Sequence, residues 1–351
     1  MLLDSISEPS LTALVGLAGG VVLGLAARMG RFCTLGAIED LLYGASDTRL
    51  RMWGVAVATA ILASFALIGL GAFNPASSAY LTQGWNPLAS IFGGLLFGYG
   101  MALAGNCGYG ALARFGGGDL RAFVIVLVMG LSAYATLSGP LAYGRVWAFP
   151  MTEAASLSGY AHLASGLTGL SPVVLGIAAG ALLLAVTLSA RSFRRDPRAI
   201  FWGAAVGLAV ASGWAGTQWI ADNGFEAMRV QSHTFSAPLG ETMLYAMTAS
   251  GRSLTFGIGS VVGVLLGAFL GSLIKGHFRW EACDDPRELR RQILGACFMG
   301  IGAVVALGCS VGQGISAFSL LAYSAPVTFA AILLGAAFGL RQLITGFARP
   351  V

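Results

Sequence analysis

The sequence predicts an all-α polytopic membrane protein with about nine transmembrane helices and additional re-entrant half-helices. Composition and glycine content are the two observations behind this. Of the 351 residues, 56% are hydrophobic and 10% are charged, and the mean hydropathy is +0.79. A soluble domain carries about 25% charged residues, which excludes that class here. The 51 glycines are about twice the usual share of roughly 7%, and glycine lets membrane helices pack closely.

Nine apolar segments approach the length of about 20 residues that a bilayer-spanning helix needs. They cover residues 11–29, 50–71, 88–105, 119–138, 170–190, 198–214, 254–274, 293–308 and 325–345. Four shorter apolar segments follow glycine-rich breaks, at 33–46, 107–116, 216–228 and 309–320. Their length is typical of re-entrant half-helices. The segments 139–169 and 222–251 are predicted to be external loops, and 279–291 a charged cytoplasmic loop.

The basic residues predict the orientation, because short cytoplasmic loops are enriched in lysine and arginine. With the N-terminus outside and the C-terminus in the cytoplasm, 17 of the 20 basic residues face the cytoplasm. Only Arg145, Arg229 and Arg252 then lie outside. A wrong number of spans would scramble this distribution, so it supports the nine-span count.

A cysteine beside a glycine-rich break recurs in the pattern G-x8-C-x2-G. The three copies are Gly24–Gly36 with Cys33, Gly98–Gly110 with Cys107, and Gly300–Gly312 with Cys309. An unpaired cysteine is most often a small buried hydrophobe. That interpretation is kept for Cys283 and Cys297, but three repeated copies call for a functional one.

The chain also predicts an internal duplication. Gly98–Gly110 and Gly300–Gly312 align without a gap, and a second alignment places Cys33 on Gly216. We therefore expect a first inverted repeat at 11–138, a linking helix at 170–190 and a second repeat at 198–345. In inverted-repeat transporters, interrupted helices meet near the bilayer midplane and form the substrate site. Gly216 would mark a fourth break that lacks the thiol.

The three breaks favour a small anion. Each cysteine precedes a predicted short helix, at Thr34–Tyr43, Gly108–Phe115 and Ser310–Leu321, and a helix N-terminus attracts anions. A thiol is a weak donor and a polarizable group, so it suits a sulfur atom better than a hard phosphate oxygen. The adjacent glycines would let the anion approach bare backbone; they are Gly105, Gly108, Gly110, Gly308 and Gly312.

Other polar residues are weaker candidates. Gln313 is predicted to help bind the substrate. Arg28 and Arg31 either attract anions at the cytoplasmic mouth or anchor the topology. Glu39 and Asp40 either line an inner vestibule or face solvent, with solvent favoured, and His233 and Glu241 are interpreted as solvated. No cofactor or metal site is predicted, because the three histidines at 162, 233 and 277 lie far apart in this topology.

The nine-span count and the segments G-N-C-G-Y-G and L-G-C-S-V-G-Q-G resemble the YeeE/YedE family of sulfur-compound transporters. The resemblance extends from Gly16 to Leu340. It implies thiosulfate uptake across a bacterial inner membrane, with broken elements dipping toward a central constriction. It also implies that Cys33, Cys107 and Cys309 pass the terminal sulfur along by S–H···S contacts. A small cytoplasmic sulfur-carrier protein is an implied partner.

Two alternatives remain at this point. One is a permease for another small anion, such as sulfite, formate or a selenium oxyanion. The other is a membrane thiol-redox enzyme or sulfurtransferase, for which Cys283 would be the reactive residue because it lies in an aqueous loop. The predicted protein is a transporter and not an enzyme.

Overall fold

The computed structural model describes residues 7–152, 154, 157–282 and 285–346, and Cys283 lies outside them. Within these residues the structure is helical, with only two isolated β-bridges. The helices are α1 (Glu8–Met29), α2 (Thr34–Leu42), α3 (Thr48–Gly69), α4 (Ala79–Thr82), α5 (Pro87–Ala104), α6 (Gly108–Phe115), α7 (Leu120–Leu137), α8 (Leu141–Ala148), α9 (Tyr160–Thr168), α10 (Pro172–Thr187), α11 (Arg191–Arg194), α12 (Pro197–Asn223), α13 (Ala237–Thr248), α14 (Phe256–Ile274), α15 (Pro286–Val305) and α16 (Ser324–Thr345).

The nine predicted spans coincide with α1, α3, α5, α7, α10, α12, α14, α15 and α16. Seven stretches of the described chain are long and apolar enough to cross a membrane. An eighth is reached if α9 and α10, between which the chain bends by 118°, count as one broken span. Helix α15 does not qualify because its first turns carry charged residues. The protein is therefore a polytopic all-α membrane protein.

The short helices after the three thiols form where the sequence predicts them. Helix α2 begins at Thr34 and α6 at Gly108. After Cys309 the chain turns helical at Ser310, widens into a π-helix at Gly312–Ala317 and ends in a 3₁₀ turn at Phe318–Leu320. We call this third element, residues 310–320, the π segment.

The fourth predicted break is wrong. Helix α12 continues for 27 residues through Gly216, whose Cα faces the side chain of Val15 in α1. Glycine alone does not interrupt an apolar helix when packing stabilises both sides of it. The second half breaks further on, between Gly224 and Ser236, before α13 begins at Ala237 with Pro238 in its first turn. The reason for placing Gly216 on the pathway is therefore gone.

The segment 222–251 is likewise not a solvated outer loop throughout. Residues 230–236 belong to no helix or strand and are mostly buried, and His233 is fully buried. The His233 Nδ1 lies 2.7 Å from the Ser260 hydroxyl, and its ring packs against Phe256. Glycine at position 19 leaves room for the imidazole, because a Cβ there would collide with it.

Glycines set the distance between the long helices. A Cβ at Gly20 of α1 would fall on the Ser260 carbonyl oxygen, and one at Gly263 of α14 would fall on the Leu17 carbonyl oxygen. Gly16 and Gly24, and Gly259 and Gly267, repeat this one turn away on each side. Such small-residue stripes let membrane helices approach backbone to backbone, which explains the high glycine content.

The helix contacts follow the same scheme in both halves. Helix α1 packs on α14 as α12 packs on α3, and α5 packs on α16 as α15 packs on α7. The short helix α2 contacts α3 and α16, and α13 contacts α14 and α7 in the same way. Each of these contacts in one half thus has an equivalent in the other half. Helix α10 packs on α3, and this contact has no equivalent among those named.

Candidate functional site

The same local turn precedes each of the three thiols. Two residues before the cysteine, the backbone is left-handed, with φ of 58° at Arg31, 76° at Gly105 and 57° at Leu307. Helices commonly end in this way, and only glycine adopts the conformation without a steric penalty. Cys33 and Cys107 then adopt extended backbone and start the next helix as N-cap residues. The turn therefore ends one helix and begins another within a few residues.

Each thiol caps the helix that follows it. The N–H groups of Gly36, Gly110 and Gly312 donate to the sulfurs of Cys33, Cys107 and Cys309, each at 3.4 Å. The carbonyl of each cysteine also accepts the first helical hydrogen bond. Because the sulfur accepts in these bonds, its own S–H remains available as a donor to another partner. The helix ends provide the positive potential that favours an anion.

The tertiary fold brings the three thiols together. Cys107 lies close enough to both Cys33 and Cys309 for electrostatic interaction, and the hydroxyl of Ser310 lies beside the Cys107 thiol. Ser310 directly follows Cys309, so the second and third breaks meet there. Cys107 and Cys309 are 1% and 2% exposed, whereas Cys33 is only partly buried. The three thiols therefore form a row, with the accessible Cys33 at one end and the buried Cys309 at the other. We call it the thiol row.

Cys33 faces a cavity of about 360 Å³ that is lined mostly by polar and cationic groups. We call it the basic cavity; its charged lining residues are Arg28, Arg31, Glu39, Arg49, Arg114 and Lys275. Partial burial lowers the pKa of Lys275, and the neighbouring Arg198, Arg31 and Arg28 lower it further. Five of the six charged groups are cations, so the cavity favours anions. All five belong to the face predicted to be cytoplasmic.

The end of the thiol row at Cys309 is covered by other parts of the chain. The Phe235 N–H donates to the Cys309 sulfur at 3.2 Å, and the Thr234 hydroxyl lies 3.7 Å from it. The partly buried Tyr80 interacts with Cys309 and Thr234. Beyond Tyr80 lies a small cavity of about 30 Å³. The structure therefore connects Cys33 with a wide opening and covers Cys309.

Aromatic rings surround the interior thiols. Tyr109 packs against Phe235 with ring centroids 5.4 Å apart and against Phe32 at 6.4 Å, and Phe32 stacks on Trp53 at 4.7 Å. The Tyr109 hydroxyl donates to the Leu23 carbonyl at 2.6 Å, which fixes the ring. This apolar collar excludes water from Cys107 and strengthens the local electrostatic interactions.

The predicted glycines divide into two groups. Gly105 and Gly110 line the basic cavity, and the space in front of the Gly105 Cα is open. Gly108 packs on Met129, Gly308 on Gln313, and Gly312 on Thr234 and Tyr80. The second group therefore allows close packing and does not offer open backbone.

Gln313 does not have a free amide for a substrate. Its amide nitrogen Nε2 donates to the carbonyls of Ala306 and Leu307 at 2.9 and 3.1 Å. Its Oε1 accepts from the Ser324 hydroxyl at 3.1 Å. The side chain thus pairs with carbonyls that the end of α15 leaves unpaired. A substrate contact by Gln313 stays a prediction.

Sequence reasoning missed four residues around the thiols, namely Tyr80, Thr234, Phe235 and Ser310. Ser310 stands inside the motif L-G-C-S-V-G-Q-G, and its place beside the cysteine was an unused signal. The other three reach Cys309 through tertiary contacts, for which the sequence holds no local signal. Within the described residues, no cluster of three or more histidines, cysteines and carboxylates forms a possible metal site.

The fold and the buried site define a multi-pass membrane transport protein. Residues 29–338 match the family described as sulphur transport, and the chain belongs to this family. A protein of Spirochaeta thermophila named thiosulfate transporter TsuA is 26% identical over 331 residues, which cover 91% of this chain and 96% of that protein. A protein of Escherichia coli with the same name is 24% identical over 337 residues, 92% of each chain. The chain is thus a transporter and not an enzyme, as the sequence predicted.

Proposed function

We propose that this protein takes up thiosulfate across a bacterial inner membrane, along a pathway lined by Cys33, Cys107 and Cys309 and by helix N-termini. The main support is that three thiols with identical capping geometry converge from separate breaks into one row. An ordinary buried cysteine needs neither the repeated turn nor the convergence. The relatives named thiosulfate transporters support the substrate.

The two ends of thiosulfate differ chemically, and the site suits both. Its terminal sulfur is soft and accepts the weak S–H donors of the thiols. Its negative charge is stabilised by the N-termini of α2, α6 and the π segment, which point into the same region. The anion therefore needs no buried lysine or arginine beside the interior thiols.

The proposed arrangement is a pair of inverted repeats, at 11–138 and 198–345, with the linking helix at 170–190. The matching helix contacts of the two halves support it. In this arrangement the basic cavity opens to the cytoplasm, the N-terminus lies outside and the C-terminus inside. A small cytoplasmic sulfur-carrier protein is the partner we expect at the cavity mouth.

The test is uptake of radiolabelled thiosulfate in cells that lack other thiosulfate permeases. Cys107→Ala and Cys309→Ala are expected to lower uptake by at least about tenfold, the effect of removing one good interaction with a charged ligand. Cys297→Ala is the matched control, since Cys297 is a partly buried free thiol in α15 away from the breaks. It should retain wild-type uptake.

Unchanged uptake in both Cys107→Ala and Cys309→Ala would remove the thiols from the pathway. Competition by unlabelled sulfite, formate and selenium oxyanions tests the substrate. If one of them displaces thiosulfate at much lower concentration, that anion and not thiosulfate is the physiological substrate.

A further inference from the structure

Three buried polar side chains next to the thiols lack a hydrogen-bond partner. Among the described residues, the oxygens Thr34 Oγ1, Asn106 Oδ1 and Ser310 Oγ are buried and unpaired. These residues are the immediate sequence neighbours of Cys33, Cys107 and Cys309. Leaving a buried polar group unpaired costs free energy, so three such groups directly beside the three thiols call for an explanation.

Ser310 is the clearest of the three. It is 0% exposed, and its hydroxyl lies beside the Cys107 thiol while its backbone directly follows Cys309. Other serines of this region are paired, since Ser316 donates to the His233 carbonyl at 2.6 Å and Ser319 to the Ser316 carbonyl at 2.7 Å. Ser310 thus places its hydroxyl between two thiols, where the Cys107 sulfur is its nearest polar neighbour and no protein oxygen or nitrogen pairs with it.

We propose that Ser310 is an oxyanion-binding residue that selects substrates carrying oxygen as well as a terminal sulfur. A neutral hydroxyl donates a hydrogen bond to a sulfonate-type oxygen far better than a thiol does, whereas the thiols suit the sulfur end. An anion passing from Cys309 to Cys107 then contacts a thiol at one end and Ser310 at the other. The pathway alternates sulfur-preferring and oxygen-preferring contacts.

This inference rests on the proposed function and names a determinant of specificity within it. Hydrosulfide carries sulfur without oxygen, and sulfate carries oxygen without a terminal sulfur. A pathway of thiols alone would favour hydrosulfide. The hydroxyl adds discrimination against it, because an oxygen-free ion leaves Ser310 unpaired.

The test compares Ser310→Ala with Ser64→Ala, since Ser64 in α3 is also 0% exposed with an unpaired hydroxyl but lies away from the thiols. In thiosulfate uptake, Ser310→Ala is expected to raise KM about tenfold, the effect of one hydrogen bond to a charged group. The inhibition constant of hydrosulfide against thiosulfate should stay unchanged. Ser64→Ala should change neither constant.

A second variant separates the lost hydroxyl from altered packing. Ser310→Cys keeps a donor of similar shape but a weaker one, and is expected to raise the KM for thiosulfate about threefold with hydrosulfide unaffected. If Ser310→Ala fails to accumulate in the membrane, this variant decides the test on the same ratio of constants.

Two results would overturn the inference. One is a KM for thiosulfate within twofold of wild type in both Ser310 variants. The other is an equal change for thiosulfate and hydrosulfide, which would indicate general distortion of the pathway. Either result leaves the proposed function standing if wild-type uptake still depends on Cys107 and Cys309, whereas absent wild-type uptake contradicts the proposed function itself.

Discussion

The two ends of the thiol row share one capping motif but differ in their surroundings. Cys33 is partly buried and faces a cavity of about 360 Å³ with five cations around it. Cys309 is 2% exposed and receives a second N–H, from Phe235, and lies beside Thr234. The comparison shows that the motif itself fixes only the sulfur and its helix. The accessibility of that sulfur depends on which distant segments of the chain pack against it.

The largest expected effect is a difference in thiol accessibility. In variants that retain only Cys33 or only Cys309, a membrane-impermeant maleimide applied to inverted membrane vesicles should label Cys33 on the order of 100-fold faster, because reactivity requires access to the sulfur. Labelling rates followed by mass spectrometry give the ratio. Equal rates from that face would contradict the open and closed ends.

Tyr80 provides a sharper version of that experiment. Tyr80→Ala removes a ring that interacts with Cys309 and Thr234, so maleimide applied from the opposite face should label Cys309 about tenfold faster than in the parent variant. The labelling of Cys33 should not change. An unchanged rate at Cys309 would mean that other groups close this end.

The glycine three residues after each thiol offers a comparison of packing. A Cβ at position 312 would lie 2.5 Å from Thr234 Oγ1 and 3.2 Å from Tyr80 Oη, whereas one at position 110 would lie 3.3 Å from Asn106 Cβ and 3.7 Å from Cys107 Sγ. We therefore expect Gly312→Ala to destabilise the protein by about 1–3 kcal/mol through overpacking. Gly110→Ala should stay within about 1 kcal/mol, since alanine also favours the helix.

Thermal unfolding of the purified protein in detergent measures this difference. The melting temperature should fall clearly for Gly312→Ala and little for Gly110→Ala. The reverse order would show that the covered end is the looser one.

The sequence predicted the features that depend on local chemistry. The three turns at Cys33, Cys107 and Cys309 could be located because a cysteine cap, a glycine at the third position and an apolar half-helix are neighbours in the chain. The fourth break could not, since Gly216 shares the glycine-rich composition but α12 stays helical through it. Composition marks where a break is tolerated, and packing decides where one occurs.

Contacts between distant parts of the chain could not be predicted from the sequence. The bond from Phe235 to Cys309 joins residues 74 positions apart, and its donor lies in a segment predicted to be an outer loop. The burial of His233 follows from Gly19, which belongs to another helix. These contacts depend on the three-dimensional pairing of the halves, and no periodicity or motif in 230–236 indicates them.

The smallest expected effect concerns charge at the open end. Arg31→Gln removes one of the cations of the basic cavity and should raise about threefold the half-saturation concentration for thiosulfate entering inverted membrane vesicles, because the cavity concentrates anions electrostatically. Arg279→Gln is the matched control, since Arg279 is 80% exposed and paired with Glu281 at 2.9 Å.

High salt should reduce the effect of Arg31→Gln by screening. Entry from the opposite face should be unaffected in both variants. An equal loss from both faces would place Arg31 in the shared interior pathway, whereas an effect confined to one face would support a role for this cation at the open end alone.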